Sequence, residues 1–210
     1  MILYDSAWAP SPRRVRIFLA EKQITVERVM IDLRRDEQLD PAFLAINPRG
    51  VVPALLLDDG AVITESAAIC RFFEAMQPDP PLFGTEPRSI AQIDSWSRRI
   101  ESDGYAAAVY AFRNSKPQMQ GRGQPGNWPP IPIIPELVDR AQVMWGCFIE
   151  ALDQRLADST WIAGDAISFA DITGLITIDF AARAGLAVPE QLVHVVRWHA
   201  TMTARPSAST

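Results

Sequence analysis

The chain of 210 residues carries 20 Lys and Arg against 25 Asp and Glu, a formal charge of −5, and 48% of it is hydrophobic. This composition supplies a core for one large or two small domains and excludes disorder as the state of the whole chain. The acidic balance argues against nucleic acid as a partner, and no apolar run is long enough to span a membrane. Two cysteines cannot form a disulfide framework, and the N-terminus lacks a signal-peptide pattern, so we expect a cytoplasmic protein.

The first third of the chain alternates short strands with helices. Apolar residues change from a spacing of two to helical spacing and back, and Asp58-Asp59-Gly60 is a typical hairpin turn. The predicted elements are a strand at Ile2–Tyr4, a helix ending near Lys22, a strand with Val29, Ile31 and Leu33, hairpin strands at Ala54–Leu57 and Ala61–Ile63, and a helix from about Glu65 to Met76. This order predicts an α/β domain spanning residues 1–79.

Prolines at positions 78, 80 and 81 then interrupt regular structure and indicate a linker. Residues 86–210 are predicted to form an all-α domain. Its expected helices are Arg88–Phe112, Pro135 to about Leu156, Ser168–Ala184 and Glu190–Thr203. Ser168 and Asp171 have the spacing of a capping box, with Ile167 and Ile172 spaced as a hydrophobic staple.

A segment rich in proline and glycine, Gly121–Pro135, separates the first two of these helices. Its composition excludes helix and favours turns or polyproline II. Two interpretations stay open: a long surface loop, or a lid that places Trp128 over a ligand.

Two short stretches carry most of the chemical information. Val52-Pro53 precedes an apolar strand, although proline cannot donate to a strand ladder, and a cis bond there would leave the Val52 backbone as an exposed edge. Ser66 lies where a helix begins, directly after Glu65. The free amides of a helix start can hold a carboxylate, and the alternative for Ser66 is plain capping of the helix.

These stretches belong to a pattern, N-P-x-G-x-V-P at Asn47–Pro53 followed by E-S-x-A-I at Glu65–Ile69, that resembles the glutathione S-transferases. SPRRVRIFLAEK at Ser11–Lys22 is similar to their first helix. The stretch from Trp161 to Asp171 is similar to the capping motif of their second domain, and RWHATMTARPSA also fits. The resemblance implies a thioredoxin-like N-terminal domain that binds glutathione and a helical C-terminal domain that carries the electrophile site. It further implies a detoxifying enzyme that forms a homodimer.

The resemblance also implies roles in binding glutathione. The Val52 backbone, next to Pro53, would pair with the cysteinyl part, and Ser66 would hold the γ-glutamyl carboxylate with Glu65 beside it. Gln38 lies in the loop where the family often has a histidine or lysine that reaches the glycyl end. For the electrophile, the candidate contacts are Trp8, Phe112 and Trp128.

The thiol-activating position is where the chain departs from the family, because Ala9 stands where many members have serine or cysteine. Ser11, before Pro12, is a candidate both for the N-cap of the first helix and for the hydroxyl donor. A water held by Asn114 or Ser115 is a further candidate, since an atypical branch of the family uses such a water. That branch has a histidine near this stretch, and this chain does not. The alternatives to a transferase are a non-catalytic protein that binds glutathione or apolar ligands, and a glutathione-dependent peroxidase.

The remaining reactive side chains point to structural roles. Cys70 and Cys147 both lie in apolar helical settings, which predicts buried and inert thiols. His194 and His199 are five residues apart, a poor spacing for a shared metal on a helix, so we predict no metal site.

Overall fold

A computed structural model describes the whole chain, Met1–Thr210, and divides it into two compact units. The first unit consists of Met1–Pro80 together with Gln124–Pro129 and the terminal residue. The second consists of Pro81–Gly123 and Pro130–Ser209. The loop predicted at Gly121–Pro135 is thus shared between the two units.

The first unit is built on a four-stranded mixed sheet in the order β2-β1-β3-β4. Strand β1 pairs in parallel with β2 and antiparallel with β3, and β3 pairs antiparallel with β4. The elements of this unit are β1 (Ile2–Asp5), α1 (Pro10–Glu21), β2 (Glu27–Met30), a 3-10 turn (Glu37–Leu39), α2 (Pro41–Leu44), β3 (Ala54–Leu56), β4 (Val62–Thr64) and α3 (Ser66–Met76). This sheet with its helices confirms the predicted α/β class.

Helices α1 and α3 bury apolar side chains beside the sheet. The fully buried residues include Leu3, Val15, Phe18, Leu55, Ile69 and Phe73. At the end of α3, Met76 is 58% exposed, whereas Cys70 in the same helix is buried. The strand predicted through Leu33 is shorter, since β2 ends at Met30.

The end of α1 is fixed by a buried lysine. The Nζ of Lys22 donates to the backbone oxygens of Gln77, Pro78 and Pro80 at 2.8, 2.9 and 2.6 Å, and it lies 2.5 Å from a carboxylate oxygen of Glu74. The side chain is fully buried, so these partners replace the water that the ammonium group loses. Lys22 therefore joins the last turn of α1 to the stretch that follows α3.

The second unit is helical, as predicted. Its helices are α4 (Pro87–Arg99), a π-helical segment (Ile100–Tyr105), α5 (Ala106–Asn114), a 3-10 turn (Pro117–Met119), α6 (Glu136–Leu156), α7 (Phe169–Arg183), α8 (Val193–Thr203) and a 3-10 turn (Pro206–Ser209). The helix predicted at Arg88–Phe112 is present but contains the π-helical segment, which the apolar spacing did not predict. The last long helix starts at Val193 instead of Glu190.

Helix α7 lies at the centre of the second unit, and most of its residues are buried on every side. The predicted capping box between Ser168 and Asp171 is confirmed. The Asp171 carboxylate also accepts hydrogen bonds from the backbone N–H of Ile162 and from Nε1 of Trp198, both at 2.9 Å. Burial raises the pKa of the Asp171 carboxyl, and these hydrogen bonds lower it part of the way. None of the helices has the length and apolar composition needed to cross a membrane.

Candidate functional site

The register of the sheet brings four of the predicted glutathione-binding residues to one end of the sheet, namely Val52, Pro53, Glu65 and Ser66. Tyr4 of β1 pairs with Ala54 of β3, and Ala54 pairs with Thr64 of β4. Strands β1 and β4 therefore run in the same direction and end within one residue of this row, where β3 begins. The start of α1, the Val52-Pro53 dipeptide and the start of α3 all follow or precede this row by a few residues. Adjacent strands are about 4.8 Å apart, so the row from β1 to β4 spans roughly 10 Å.

A buried ion pair holds the loop between β1 and α1. The Arg16 guanidinium lies 2.5 Å from the carboxylate of Asp5, and it also donates to the backbone oxygens of Ser6 and Ala7 at 3.0 and 3.1 Å. Both charged side chains are buried. The pair fixes the loop that leads to Ala9. The sequence does not predict it, because a charged residue is ordinarily expected on the surface.

Helix α1 begins at Pro10, two residues earlier than predicted, and its N-cap is Ala9. The proposed N-cap role of Ser11 is therefore wrong, because Ser11 lies inside the first turn. The sequence Ala-Pro-Ser-Pro offers two registers, since each proline suits a first helical position and the second would have made Ser11 the cap. Pro10 and Pro12 have no N–H, so Ser11 is the only one of the first three helical residues with a backbone donor.

The second part of the candidate site is the turn before β3. The Val52–Pro53 bond is cis, and Val52 lies outside the ladder, which starts at Ala54. The buried side chain of Asn47 shapes the turn from within, because its Nδ2 donates to the Val51 oxygen at 2.8 Å and its Oδ1 accepts from the Arg49 N–H at 3.2 Å.

The third part of the candidate site is the junction of β4 and α3. Glu65 has a φ of 66° and a ψ of 121°, a conformation that is strained for a residue with a side chain and that concentrates at functional sites. Its carboxylate forms an ion pair with Arg49, and both side chains are exposed. Ser66, the first residue of α3, is 6% exposed, and its Oγ accepts a hydrogen bond of 3.3 Å from Nη1 of Arg14. A buried cation, Arg14, thus contacts the predicted carboxylate site, and its sequence position did not predict this contact.

Gln38 lies in the 3-10 turn after β2 and is 7% exposed. Its Nε2 donates to the Asp36 carboxylate at 3.2 Å, and its buried amide oxygen has no hydrogen-bond partner within the protein. The Gln38 side chain is therefore buried and uncharged, whereas the histidine or lysine of the family pattern would supply a donor.

The candidate aromatic contacts are distributed over the chain. Trp8 is partly exposed with the Arg34 guanidinium 5.7 Å from its ring centroid, and Trp128 is 58% exposed. Both belong to the first unit. Phe112 belongs to the second unit, where the Nζ of Lys116 lies 3.9 Å from its ring centroid.

The two candidates for holding a water differ in their surroundings. Asn114 is buried, its Nδ2 donates to the Tyr110 oxygen at 2.9 Å, and its Oδ1 accepts from the Ile134 N–H at 2.8 Å. Ser115 follows as the exposed C-cap of α5. The amide of Asn114 therefore binds its own helix and the end of the Gly121–Pro135 loop, a structural role that the sequence did not predict.

The two thiols also differ. Cys70, on α3, is buried as predicted, and burial raises the pKa of its thiol well above the usual range, with opposing effects from the charges of Arg14 and Glu74. The prediction of a buried thiol is wrong for Cys147, which is exposed on α6. No three His, Cys, Asp or Glu side chains form a group that could hold a metal ion.

Comparisons with known proteins identify the family. The family model of the glutathione S-transferase N-terminal domain matches residues 8–76, and that of the C-terminal domain matches residues 136–206. Glutathione S-transferase 2 of Saccharomyces cerevisiae is 34% identical over 213 residues, which cover 99% of this chain and 87% of that protein.

Two solved structures show the same fold. The crystal structure of Gtt2 from Saccharomyces cerevisiae is 33% identical with a TM-score of 0.90, over 100% of this chain and 99% of that one. A Gtt2-class glutathione S-transferase of Vibrio parahaemolyticus is 36% identical with a TM-score of 0.83, over 99% of this chain and 95% of that one. The predicted fold of a thioredoxin-like domain with an all-α domain is thus confirmed, and the chain belongs to the glutathione S-transferase family.

Proposed function

We propose that this glutathione transferase binds glutathione along the edge of the sheet and activates its thiol at the start of α1 for attack on an electrophilic, apolar substrate. The observation that carries the proposal is the common row of Tyr4, Ala54 and Thr64. It brings a strand-like backbone and two helix starts together within about two strand spacings. No observation favours the non-catalytic or the peroxidase alternative.

The backbone of Val52 pairs with the cysteinyl part of glutathione in this proposal, because it continues the direction of β3 outside the ladder. The γ-glutamyl carboxylate binds at Ser66, where the hydroxyl and the amides of the α3 start donate to it. The guanidinium of Arg14 behind Ser66 adds positive charge that favours an anion. Glu65 lies beside the ligand and is held by Arg49.

The glycyl end lies near Gln38 in this proposal. This assignment differs from the family pattern, in which a cationic side chain binds the glycyl carboxylate.

Thiol activation follows from the electrostatics of a helix start. A free thiol has a pKa near 8.5, and the thiolate is the nucleophile. The backbone N–H of Ser11 and the helix dipole favour the thiolate where Ala9 provides no hydroxyl, and Arg13 and Arg14 add positive charge to the first turns of the helix. Among the side chains we favour the Ser11 hydroxyl as an additional donor over a water at Ser115 or Asn114. The polar atoms of Asn114 already bind Ile134 and Tyr110.

The electrophile reacts with the thiolate while it contacts aromatic side chains. Trp8 immediately precedes Ala9 and is the aromatic residue nearest in sequence to the thiol-activating position. Trp128 and Phe112 are the other candidate contacts. We assign glutathione binding to residues 1–79 and the electrophile site to residues 86–210.

Steady-state turnover of glutathione with a generic aryl halide tests the activity. We expect saturable dependence on both substrates, with a rate above the uncatalysed reaction. A protein that binds glutathione in calorimetric titration and gives no rate above background would contradict catalysis while leaving the binding site intact.

We further propose a cytoplasmic, detoxifying homodimer, supported by the family and its usual assembly. Light scattering at micromolar concentration is expected to give twice the 23.3 kDa mass of the chain. A single peak at the mass of one chain would show that this member is monomeric.

A further inference from the structure

The strap, defined as Gln124–Pro129, is a short segment of the long loop that belongs to the first unit although its neighbours in sequence belong to the second. The sequence separates it from the Pro48–Val51 turn by more than seventy residues, and yet the two are in direct contact. The function proposed above assigns no role to the strap as a whole.

Two hydrogen bonds attach the strap to the turn. The backbone N–H of Asn127 donates to the Arg49 oxygen at 2.7 Å, and its Nδ2 donates to the Pro48 oxygen at 3.3 Å. Together they fix two successive peptide oxygens of the turn from outside, while Asn47 fixes the N–H of Arg49 and the oxygen of Val51 from within.

Glycines on both sides make this approach possible. A Cβ on Gly126, which has a φ of +107°, would come within 2.6 Å of the Arg49 oxygen and 3.1 Å of Val51 Cγ1. A Cβ on Gly50, which has a φ of +61°, would come within 3.1 Å of Asn127 Cβ. The two backbones are therefore packed at a distance that only residues without side chains allow.

The Pro48–Val51 turn is connected to two residues of the proposed glutathione site. Its last residue leads directly to Val52, and its Arg49 side chain reaches Glu65, the strained residue that precedes Ser66. We propose that the strap is a positioning element for glutathione binding: Asn127 and Gly126 hold the Pro48–Val51 turn so that Val52 and Glu65 meet the peptide in a fixed geometry. The inference rests on the proposed function, because it concerns how the same site is held.

Gly126→Ala tests the strap, with Gly121→Ala as a matched control. Gly121 lies in the same loop with a φ of +81°, and a Cβ there would have Pro130 Cβ as its nearest neighbour at 3.8 Å. Both variants carry a similar backbone strain, and only Gly126→Ala pushes against the turn. Asn127→Ala is the second variant, because it removes the side-chain hydrogen bond without new steric contact.

Calorimetric titration with glutathione and the separate KM values of the two substrates provide the readout. We expect the glutathione Kd to rise about tenfold in Gly126→Ala and about threefold in Asn127→Ala, with less than about a twofold change in Gly121→Ala. The KM for glutathione should follow the Kd, while kcat changes by less than about threefold.

Unchanged glutathione affinity in Gly126→Ala and Asn127→Ala would overturn the strap as a positioning element, as would an equal loss in Gly121→Ala. In either case Ser66→Ala tests the proposed glutathione site separately from the strap. A loss of glutathione affinity in Ser66→Ala would support that site even where the strap has no role in it. A parent protein that fails to bind glutathione would overturn the proposed site and this inference together.

Discussion

Replacing Ser66 by alanine tests the anion site at the start of α3. Ser66 is the first residue of that helix, its hydroxyl is almost completely buried, and Nη1 of Arg14 lies 3.3 Å from its Oγ. In the proposed complex the same hydroxyl donates to the γ-glutamyl carboxylate while the Arg14 guanidinium stays behind it. The substitution removes one hydrogen bond to a charged group and leaves the helix amides in place.

The magnitude follows from that single bond. A hydrogen bond to a charged group contributes about 1.5–3 kcal/mol, so the glutathione Kd of Ser66→Ala should rise roughly 10- to 150-fold. The effect on the free energy of unfolding should be smaller, at most about 1 kcal/mol, since the bond from Arg14 is long. Isothermal titration calorimetry gives the Kd, and urea unfolding gives the stability.

Ser97→Ala is the matched control for loss of a buried serine hydroxyl. Ser97 is 4% exposed against 6% for Ser66, and its Oγ donates to the Ile93 oxygen at 2.7 Å, within α4. We expect Ser97→Ala to lose stability with unchanged glutathione affinity. Equal dissociation constants for the parent protein and Ser66→Ala would refute the carboxylate assignment, and with it the reasoning from Arg14.

Two further predictions concern buried and exposed polar groups. A maleimide reagent should modify one thiol of the native protein, Cys147, and both thiols after denaturation, because burial raises the pKa of the Cys70 thiol; two rapidly modified thiols in the native state would contradict the described burial. Lys22→Met should lower the free energy of unfolding by about 3–5 kcal/mol, because it removes the buried ion pair with Glu74 and three hydrogen bonds to backbone oxygens. An unchanged urea midpoint would show that Lys22 does not anchor the end of α1.

Local patterns were sufficient for the elements whose determinants are adjacent in sequence. The hairpin around Asp58-Asp59-Gly60 and the capping box of Ser168 and Asp171 depend on residues within a few positions of one another, and the structure contains both. The strand predicted through Leu33 is wrong beyond Met30, because alternation of side chains does not show where pairing with a neighbouring strand stops. Alternation continues in the sequence after Met30, but only the N–H of Ile31 still bonds to β1, at the Asp5 oxygen.

Features that join distant positions could not be predicted in this way. Arg14 and Arg16 appear in the sequence as ordinary charges of an amphipathic helix, and both are buried. Their partners, Ser66 and Asp5, are 52 and 11 residues away, and a buried charge is stable only where such partners meet it. The strap is a stronger case, because nothing in Gln124–Pro129 alone indicates contact with Pro48–Val51.

The start of α1 shows how one shifted register changes a functional hypothesis. When Ser11 is taken as the N-cap, its hydroxyl is divided between capping and catalysis, and any substitution affects both. With Ala9 as the N-cap, the hydroxyl of Ser11 does not cap the helix. The backbone N–H of Ser11 is then the only backbone donor among the first three helical residues. The thiolate can then be stabilised by a backbone group that no side-chain substitution removes.

Ser11→Ala and Ser11→Thr separate the hydroxyl from the backbone donor. Threonine keeps the hydroxyl and alanine removes it, while both keep the N–H. We expect turnover of Ser11→Ala to fall less than tenfold, or about 1.4 kcal/mol of barrier, because the helix start and its N–H remain. Stability should fall by at most about 1 kcal/mol, the net value of one hydrogen bond. The measurement is the pH–rate profile of both variants beside the parent. If Ser11→Ala loses a hundredfold in turnover and shifts its profile to higher pH while Ser11→Thr does not, the hydroxyl is the main donor and the backbone account of thiol activation is wrong.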